Sequence, residues 1–302
     1  MKRDFLTLAD RTEAEYRTLF DRAHALKASR KRHEVVTTLA GRHLVLLFEK
    51  ASTRTHLSFE AAMYQLGGTV STITAGSSQI ARGETIEDTA RVVSRYADAI
   101  MFRTFGDDRL NAFAKASSVP VINGLSEGGH PVQVLTDLFT VEERLGSVKG
   151  KTVAFVGDCA SNMGLSFVEA TRIFGFTLKL GAPEGYRPPA AMLAAAGTHV
   201  EVTADPVAAV TGADVLVTDV WTSMGQEAES ARRKKDLHDY QLNEALLAMG
   251  KPGAIVLHCL PAHRGEEITD GVVDGPQSAV WDEAENRMHV QKALLEQLIL
   301  SR

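Results

Sequence analysis

The chain is predicted to be an α/β protein of two domains, each a parallel β-sheet flanked by helices. Three observations lead there. Short β-type runs alternate with amphipathic helical patterns along the whole sequence, a rhythm that places helices over parallel strands. The 302 residues are 44% apolar, enough to fill the core of one large or two medium domains. A mid-chain helix that ends on glycine separates two such rhythms.

In the first half the β-type runs are HLVLLFE, TVSTI, AIMFR and VPVIN; in the second they are TVAFVG, TLKLG, HVEVTA, VLVTDVW and AIVLHCLP. Between them HPVQVLTDLFTVEERLGSVKGKT reads as a helix with Val134, Leu135, Leu138, Val141 and Leu145 on one face. It stops at Gly146, and a Ser-Val-Lys-Gly-Lys turn follows. The expected domains are therefore residues 1–145 and 146–282. A last helix, roughly Glu283 to Leu300, lies beyond the Gly275-Pro276 turn, and spacing alone lets it pack on either half. No fixed-period repeat or low-complexity segment interrupts this plan.

Charge and composition exclude several classes. The net charge of −5 and pI near 6.1 lack the basic balance of a nucleic-acid binder, and the run Arg30 to Arg32 reads as a solvated helix end. No apolar run reaches the ~18 residues of a membrane span, and the N-terminus MKRDFLTLADRTEAEY turns acidic where a signal peptide would stay apolar. A cytoplasmic location is expected. The two cysteines, Cys159 and Cys259, give neither a disulfide framework nor metal-ligand spacing, which suits a reducing compartment.

The stretch FEKASTRTHLSFEAA, residues 48–62, runs a strand end into a hydroxyl-rich helix start. In open α/β sheets, ligands sit beyond the carboxyl ends of strands, where helix N-termini present free N–H groups. Ser52, Thr53 and Thr55 add hydroxyls there, and Arg54 adds a charge with fork geometry suited to phosphate oxygens. The alternative is a plain helix cap with Arg54 in solvent. Arg103 ends AIMFR, while His130 and Gln133 open the mid-chain helix in GGHPVQ, so all fall at one sheet edge. An anion carrying a carbonyl would use them: arginine for charge, histidine and glutamine for the oxygen that turns negative in acyl transfer. Taken singly, His130 is equally a helix-start hydrogen bonder and Arg103 a surface ion-pair partner.

The second half offers other chemistry. VTDVWTSMG carries Asp219, Ser223 and Met224; GDCASNMGLS carries Asn162 at a helix start; VLHCLPAHRGEE carries His258, Cys259 and Leu260. Acid, amide, thiol and hydroxyl groups together suit a ligand with an ammonium and a carboxylate. The glycines of VGDCASNMG do not form the G-x-G-x-x-G dinucleotide fingerprint, which disfavours a nicotinamide enzyme. A strand-end cysteine is commonly core, and Cys159 fits that description better than Cys259.

The set FEKASTRT, MFRT, HPVQ, GDCASNMG, TDVWTSMGQE, HCLPAHRGEE and DEAENRMHVQKA resembles the ornithine carbamoyltransferases in order and over essentially the whole chain. The resemblance implies the carbamoyltransferase fold, with a carbamoyl-phosphate domain, an ornithine domain and a final helix, residues 283–302, returning to the first. It implies transfer of the carbamoyl group of carbamoyl phosphate to the δ-amine of L-ornithine, giving L-citrulline and phosphate, in arginine biosynthesis rather than catabolism. Carried over, Ser52, Thr53, Arg54, Thr55 and Arg103 hold the phosphate, and His130 and Gln133 reach the carbamoyl group. Gln79 completes the phosphate site of a neighbouring subunit in a homotrimer or a multiple of trimers. Asn162, Asp219, Ser223 and Met224 bind ornithine, Cys259 and Leu260 surround the reacting groups, and Arg287 returns from the last helix to carbamoyl phosphate. Arg103, His130 and Cys259 are the implied catalytic residues. No metal or organic cofactor, nucleic acid or membrane is implied.

The chain departs from relatives at Ala51, His56 and Ser161. Aspartate carbamoyltransferase shares the phosphate motifs, but Arg82 stands where its lysine is expected and HCLPAHRGEE where it has HPLPR. Putrescine and N-acetylornithine transferases and a catalytically silent paralogue are the other readings, with the Ser-Met-Gly loop after Trp221 favouring ornithine.

Overall fold

The structure is a computed structural model and describes residues 2–222 and 227–301. The chain divides into two compact units, one running to Leu135 and resuming at Asn286, the other Thr136–Glu285. The divisions fall within helices, earlier than 145 at the first boundary and later than 283 at the second.

The first unit opens with α1 (Glu13–Lys31). Its start is a reciprocal cap: the Thr12 hydroxyl accepts from the Glu15 N–H, and the Glu15 carboxylate accepts from the Thr12 N–H at 2.9 Å. There follow β1 (His43–Phe48), α2 (Thr53–Gln65), β2 (Thr69–Thr74), α3 (Ile86–Val93), β3 (Ala99–Arg103), α4 (Asp107–Ala116), β4 (Val121–Leu125) and α5 (Pro131–Leu145). The four strands pair in parallel in the order β2-β1-β3-β4. Strand β3 is buried throughout and β1 nearly so, as expected of inner parallel strands covered on both faces, whereas edge strand β2 is largely exposed. Val45, Leu47, Ile100, Phe102 and Val121 form one sheet face against Ala90 and Val93 of α3 and Leu110 and Phe113 of α4. The Phe102 and Phe113 rings lie 4.7 Å apart. Truncating Phe113, which is fully buried, to alanine would cost about 3–5 kcal/mol.

Every residue of α5 from Pro131 to Val141 is buried, including Gln133, Thr136, Asp137 and Thr140. The apolar face expected from spacing is present, but the opposite face is not left to solvent. Thr140 meets its own need by donating to the Thr136 carbonyl at 2.9 Å.

The second unit contains β5 (Thr152–Val156), α6 (Asn162–Phe174), β6 (Thr177–Gly181), α7 (Ala190–Ala196), β7 (Val200–Thr203), α8 (Pro206–Val210), β8 (Val215–Val217), α9 (Ser230–Leu237), α10 (Glu244–Leu247), β9 (Ile255–Leu257) and α11 (Asp270–Val273). Its sheet is parallel, ordered β7-β6-β5-β8-β9. Val156, Leu216 and Val256 pack with Ala209 and Val210 of α8, Leu246 of α10 and Val272 of α11. The last helix, α12 (Val280–Leu300), begins a few residues before the expected Glu283. Its later part belongs to the first unit, where Glu296 takes two hydrogen bonds from Arg22 of α1 and Asn286 accepts from Lys27 at 2.7 Å.

Strand order fixes where a ligand can enter each unit. In the first, the chain turns from β1 to β2 on one side and to β3 on the other, so the crevice opens beyond the carboxyl ends of β1 and β3. In the second, the same reversal lies between β5 and β8. Among the described residues no helix is long and apolar enough to cross a membrane.

Candidate active site

At the β1/β3 reversal of the first unit, Ser52 is the N-cap of α2, and its hydroxyl accepts from the Thr55 N–H at 3.3 Å. The capping reading and the anion reading both apply, since one cap leaves other N–H groups of the first turn open. Thr53 is exposed and Arg54 half-buried. Arg54 makes no ion pair with a described carboxylate, which leaves its charge available to an anion at the positive end of the helix. Beside this turn lies a cleft of about 400 Å³ lined by Glu49, Ser52, Thr53, His56, Thr72 and Thr74, among others.

Arg103 closes β3, almost buried, at a register shift between Phe102 and Arg103. The backbone there is tied to the end of β1, because the Glu49 N–H donates to the Arg103 carbonyl at 2.9 Å. Glu49 also accepts from the Thr104 hydroxyl and from the Arg109 guanidinium, with Nε at 3.2 Å. This clamp holds the two strand ends that carry the candidate anion-binding residues. Glu49 lies within FEKASTRT, but Arg109 becomes its partner only through the order of the sheet.

His130 precedes Pro131, and its carbonyl accepts from the N–H groups of Gln133 and Val134 at 3.1 and 3.2 Å, which starts α5. Its imidazole is buried. Burial first, then the charges of Arg287 and Arg103, hold it well below the ordinary histidine value of 6.5, so the ring is neutral at neutral pH. Gln133 and Thr55 both meet Arg287: the guanidinium donates to Gln133 Oε1, and to Thr55 Oγ1 at 2.8 Å. Thr55, Arg103, His130, Gln133 and Arg287 are all buried. The first unit thus gathers two guanidiniums, a neutral imidazole, an amide and a hydroxyl.

In the second unit, the loop after β5 reaches α6 through Ser161, the N-cap, whose hydroxyl accepts from the Gly164 N–H at 3.3 Å. Serine at this departure from the family pattern is therefore used as a cap. Asn162 follows, half-buried, as the first residue of α6. Gly164 allows the helix to approach the loop, since a Cβ there would lie 2.2 Å from the Cys159 carbonyl oxygen. Beyond β8, Asp219 is nearly buried, and its Oδ1 accepts from the Val220 N–H at 2.8 Å and from the Cys259 thiol at 3.1 Å. Burial and the adjacent Asp219 carboxylate, with Glu283 and Asp137 farther down in weight, push the Cys259 thiol well above 9. Cys259 is a thiol, not a thiolate, at neutral pH.

Leu260 adopts φ +59, in the left-handed region, and its N–H donates to His258 Nδ1 at 2.9 Å. Asp219, Cys259 and Leu260 lie on loops leaving β8 and β9 at the strands' carboxyl ends, and Asn162 opens the helix reached by the loop that leaves β5. Cys259 and Leu260 belong to this unit and not to the one holding the other residues of the carbamoyl-phosphate set. Ser223 and Met224 lie outside the described residues. Gln79 is exposed at the start of a 3-10 turn (Gln79–Arg82) after β2. Cys159 is a free, fully buried thiol, as its strand-end setting suggests.

Two contacts escape motif reading. Arg233 of α9 donates to Asp158 Oδ2 at 2.7 Å and to the Trp221 carbonyl at 3.1 Å, joining the β5 and β8 loops. Glu267 pairs with His258 at 3.1 Å inside the core. Metal-binding donors are present in Asp219, His258 and Cys259, whose atoms lie within 4.8 Å of one another. Both His258 ring nitrogens are, however, engaged by Leu260 and Glu267, and the thiol is engaged by Asp219. The donors of this trio are thus committed to hydrogen bonds.

Comparison with known proteins shows the family and the fold. Residues 3–143 match the family described as "Aspartate/ornithine carbamoyltransferase, carbamoyl-P binding domain". Residues 149–298 match "Aspartate/ornithine carbamoyltransferase, Asp/Orn binding domain". The chain is 50% identical over 297 residues to the ornithine carbamoyltransferase of Paracidovorax citrulli, covering 98% of this chain and 96% of that one. The solved ornithine carbamoyltransferase of Pyrococcus furiosus superposes with a TM-score of 0.94 at 45% identity, covering 99% and 97% of the two chains. The anabolic ornithine carbamoyltransferase of Campylobacter jejuni superposes with a TM-score of 0.92 at 36% identity, covering 100% of each.

Proposed function

The chain belongs to the aspartate/ornithine carbamoyltransferase family, and from that premise we propose that it transfers the carbamoyl group of carbamoyl phosphate to the δ-amine of L-ornithine. The products are L-citrulline and phosphate. The observation that carries the reading is the convergence of Thr55, Arg103, His130, Gln133 and Arg287 in the first unit, because a small anion with an adjacent carbonyl needs that combination of charge and neutral donors.

The phosphate half falls to Ser52, Thr53, Arg54 and Thr55 at the start of α2, assisted by Arg103 and Arg287. His130 and Gln133 serve the carbamoyl group. A neutral imidazole can donate a hydrogen bond to the carbonyl oxygen without passing it a proton, which suits a charge that develops and then collapses. On the amine side, Asp219 attracts the ammonium of ornithine, and the Cys259 thiol and Leu260 surround it, with Asn162, Ser223 and Met224 completing that half.

The ammonium loses a proton to expose its lone pair, and the nitrogen attacks the carbonyl carbon. The oxygen takes up negative charge; it then returns its electron pair as the bond to the phosphate oxygen breaks, and phosphate leaves with those electrons. The second proton leaves the nitrogen as citrulline forms. Positioning and electrostatics carry such a transfer.

The same reading has the units up to Leu135 and Thr136–Glu285 serve carbamoyl phosphate and ornithine respectively, in line with the family descriptions. It places the enzyme in the cytoplasm as a homotrimer in which Gln79 completes a neighbouring subunit's site. The role in arginine biosynthesis is supported by the relative described as anabolic.

The test is citrulline and phosphate formation by the purified protein from carbamoyl phosphate with L-ornithine, putrescine, N-acetylornithine or L-aspartate in parallel. Turnover selective for ornithine is expected. Selectivity for another amine overturns the assignment of Asn162, Asp219 and Ser223, and absence of turnover overturns the activity.

A further inference from the structure

We propose that Glu267 is a positioning residue for the amine half of the reaction: through the His258 ring it holds the Leu260 backbone, and thereby sets the Cys259 thiol against Asp219. The role in catalysis rests on the function proposed above; the positioning itself does not.

The segment after β9 is held in a conformation that its own sequence does not favour. Leu260 has φ +59, a region that a leucine occupies only when its surroundings fix it there. The fixing contacts are specific. The Leu260 N–H donates to His258 Nδ1 at 2.9 Å, so that nitrogen is an acceptor and the ring proton sits on Nε2. That proton is directed at Glu267 Oε1, 3.1 Å away. The same oxygen accepts from the His263 N–H at 2.6 Å, and Glu283 Oε2 accepts from the His258 N–H at 2.9 Å. Two carboxylates therefore grip the stretch 258–263 at both ends, with Cys259 between them.

Glu267 chooses the tautomer. Remove its acceptor, and the Nε2 proton is left buried and unpaired, with only the Leu260 N–H still favouring that tautomer; with the proton on Nδ1, the ring cannot accept from Leu260. The left-handed turn then loses the bond that holds it, and the Cys259 thiol loses its fixed place 3.1 Å from Asp219 Oδ1. Burial makes the arrangement conspicuous. The His258 and Glu267 side chains are fully buried, and Glu267 Oε2 has no hydrogen-bond partner among the described residues. A fully buried carboxylate that accepts from both a ring proton and a backbone N–H of one loop is placed to fix that loop.

Glu267→Met fills the volume and removes the acceptor, whereas Glu267→Gln retains an oxygen for both His258 and His263. Two readouts are needed: steady-state kinetics with carbamoyl phosphate and ornithine, and the iodoacetamide alkylation rates of Cys259 and Cys159 at pH 8, resolved by peptide mass spectrometry. For Glu267→Met, kcat falls by about 10- to 100-fold with the KM for carbamoyl phosphate unchanged, Cys259 alkylates several-fold faster, and buried Cys159 stays unreactive. Glu267→Gln restores turnover and the alkylation rate toward wild type. Wild-type turnover in Glu267→Met, or an unchanged Cys259 rate, overturns the proposal. So does parallel exposure of Cys159, which marks general loosening. If the wild-type chain turns over none of the amines, the functional reading fails while the alkylation comparison still decides whether Glu267 positions the loop.

Discussion

The Arg287 guanidinium, on the last helix, donates to the Thr55 hydroxyl in the first turn of α2 at 2.8 Å, with both side chains buried. The same guanidinium donates to Gln133 Oε1. One planar fork thus joins three elements of the first unit at the carboxyl edge of its sheet.

Arg287→Lys keeps the charge and loses the fork. It is expected to raise the KM for carbamoyl phosphate by about 10-fold or more, the effect of losing one charge-assisted hydrogen bond of about 1.5–3 kcal/mol. Steady-state kinetics check this, and an unchanged KM would remove Arg287 from the site.

Arg54 has no ion-pair partner among the described residues, so its alanine variant leaves no buried charge stranded. Arg54→Ala should therefore leave thermal stability within about 0.5 kcal/mol, as for ordinary surface changes, yet abolish most carbamoyl-phosphate binding and turnover. Calorimetric titration and a melting curve separate the two effects; intact affinity would reduce the Ser-Thr-Arg-Thr stretch to a helix cap.

His130 is held well below 6.5 in the folded chain, and the unfolded chain takes up its proton near that value. As pH falls below about 6.5, the unfolded state binds a proton that the folded state refuses, so stability drops by at most about 1.4 kcal/mol per pH unit until the folded value is reached. Above 6.5 the term vanishes. His130→Asn should flatten this part of the acid limb in urea unfolding measured at successive pH values.

Asp219 is the near carboxylate that keeps the Cys259 thiol protonated. Asp219→Asn should lower the thiol toward its ordinary range, visible as faster alkylation of Cys259 at pH 9, and raise the KM for ornithine about 10- to 100-fold, the cost of one lost charge contact. The KM for carbamoyl phosphate should not follow it.

Gly164 and Ser161 set the entry to α6. A Cβ at position 164 would meet the Cys159 carbonyl at 2.2 Å, so Gly164→Ala is expected to destabilise by about 1–3 kcal/mol. Ser161→Ala should cost about 1 kcal/mol through the lost cap. Chemical unfolding measures both, and the order of the two is the informative result.

Much of this architecture is legible in the residues. The β-type runs fall on the observed strands, α5 ends at Leu145 ahead of Gly146, and Arg103, His130 and Asn162 stand at the element ends where their local sequence puts them. Cys159 is buried as its strand-end context suggests. These features are local: apolar periodicity, glycine stops and helix starts are written within a few residues of one another, and backbone sterics act over that range.

The partnerships are not local. Arg109 with Glu49 and Arg233 with Asp158 depend on which strands become neighbours and which helix covers them, and Glu267 meets His258 only because the segment after β9 folds back on itself. Arg287 is reached from sequence only through the family resemblance, since it meets Thr55 across 232 positions. The polar side of α5 is buried as well, which the spacing of its apolar face does not disclose. The sequence by itself determined the two parallel-sheet rhythms, the residues at strand and helix ends, and the family. Only the tertiary structure decided which charges pair, which ring nitrogen carries the proton and which leucine is held left-handed, because those follow from sheet order and burial and not from any periodicity along the chain.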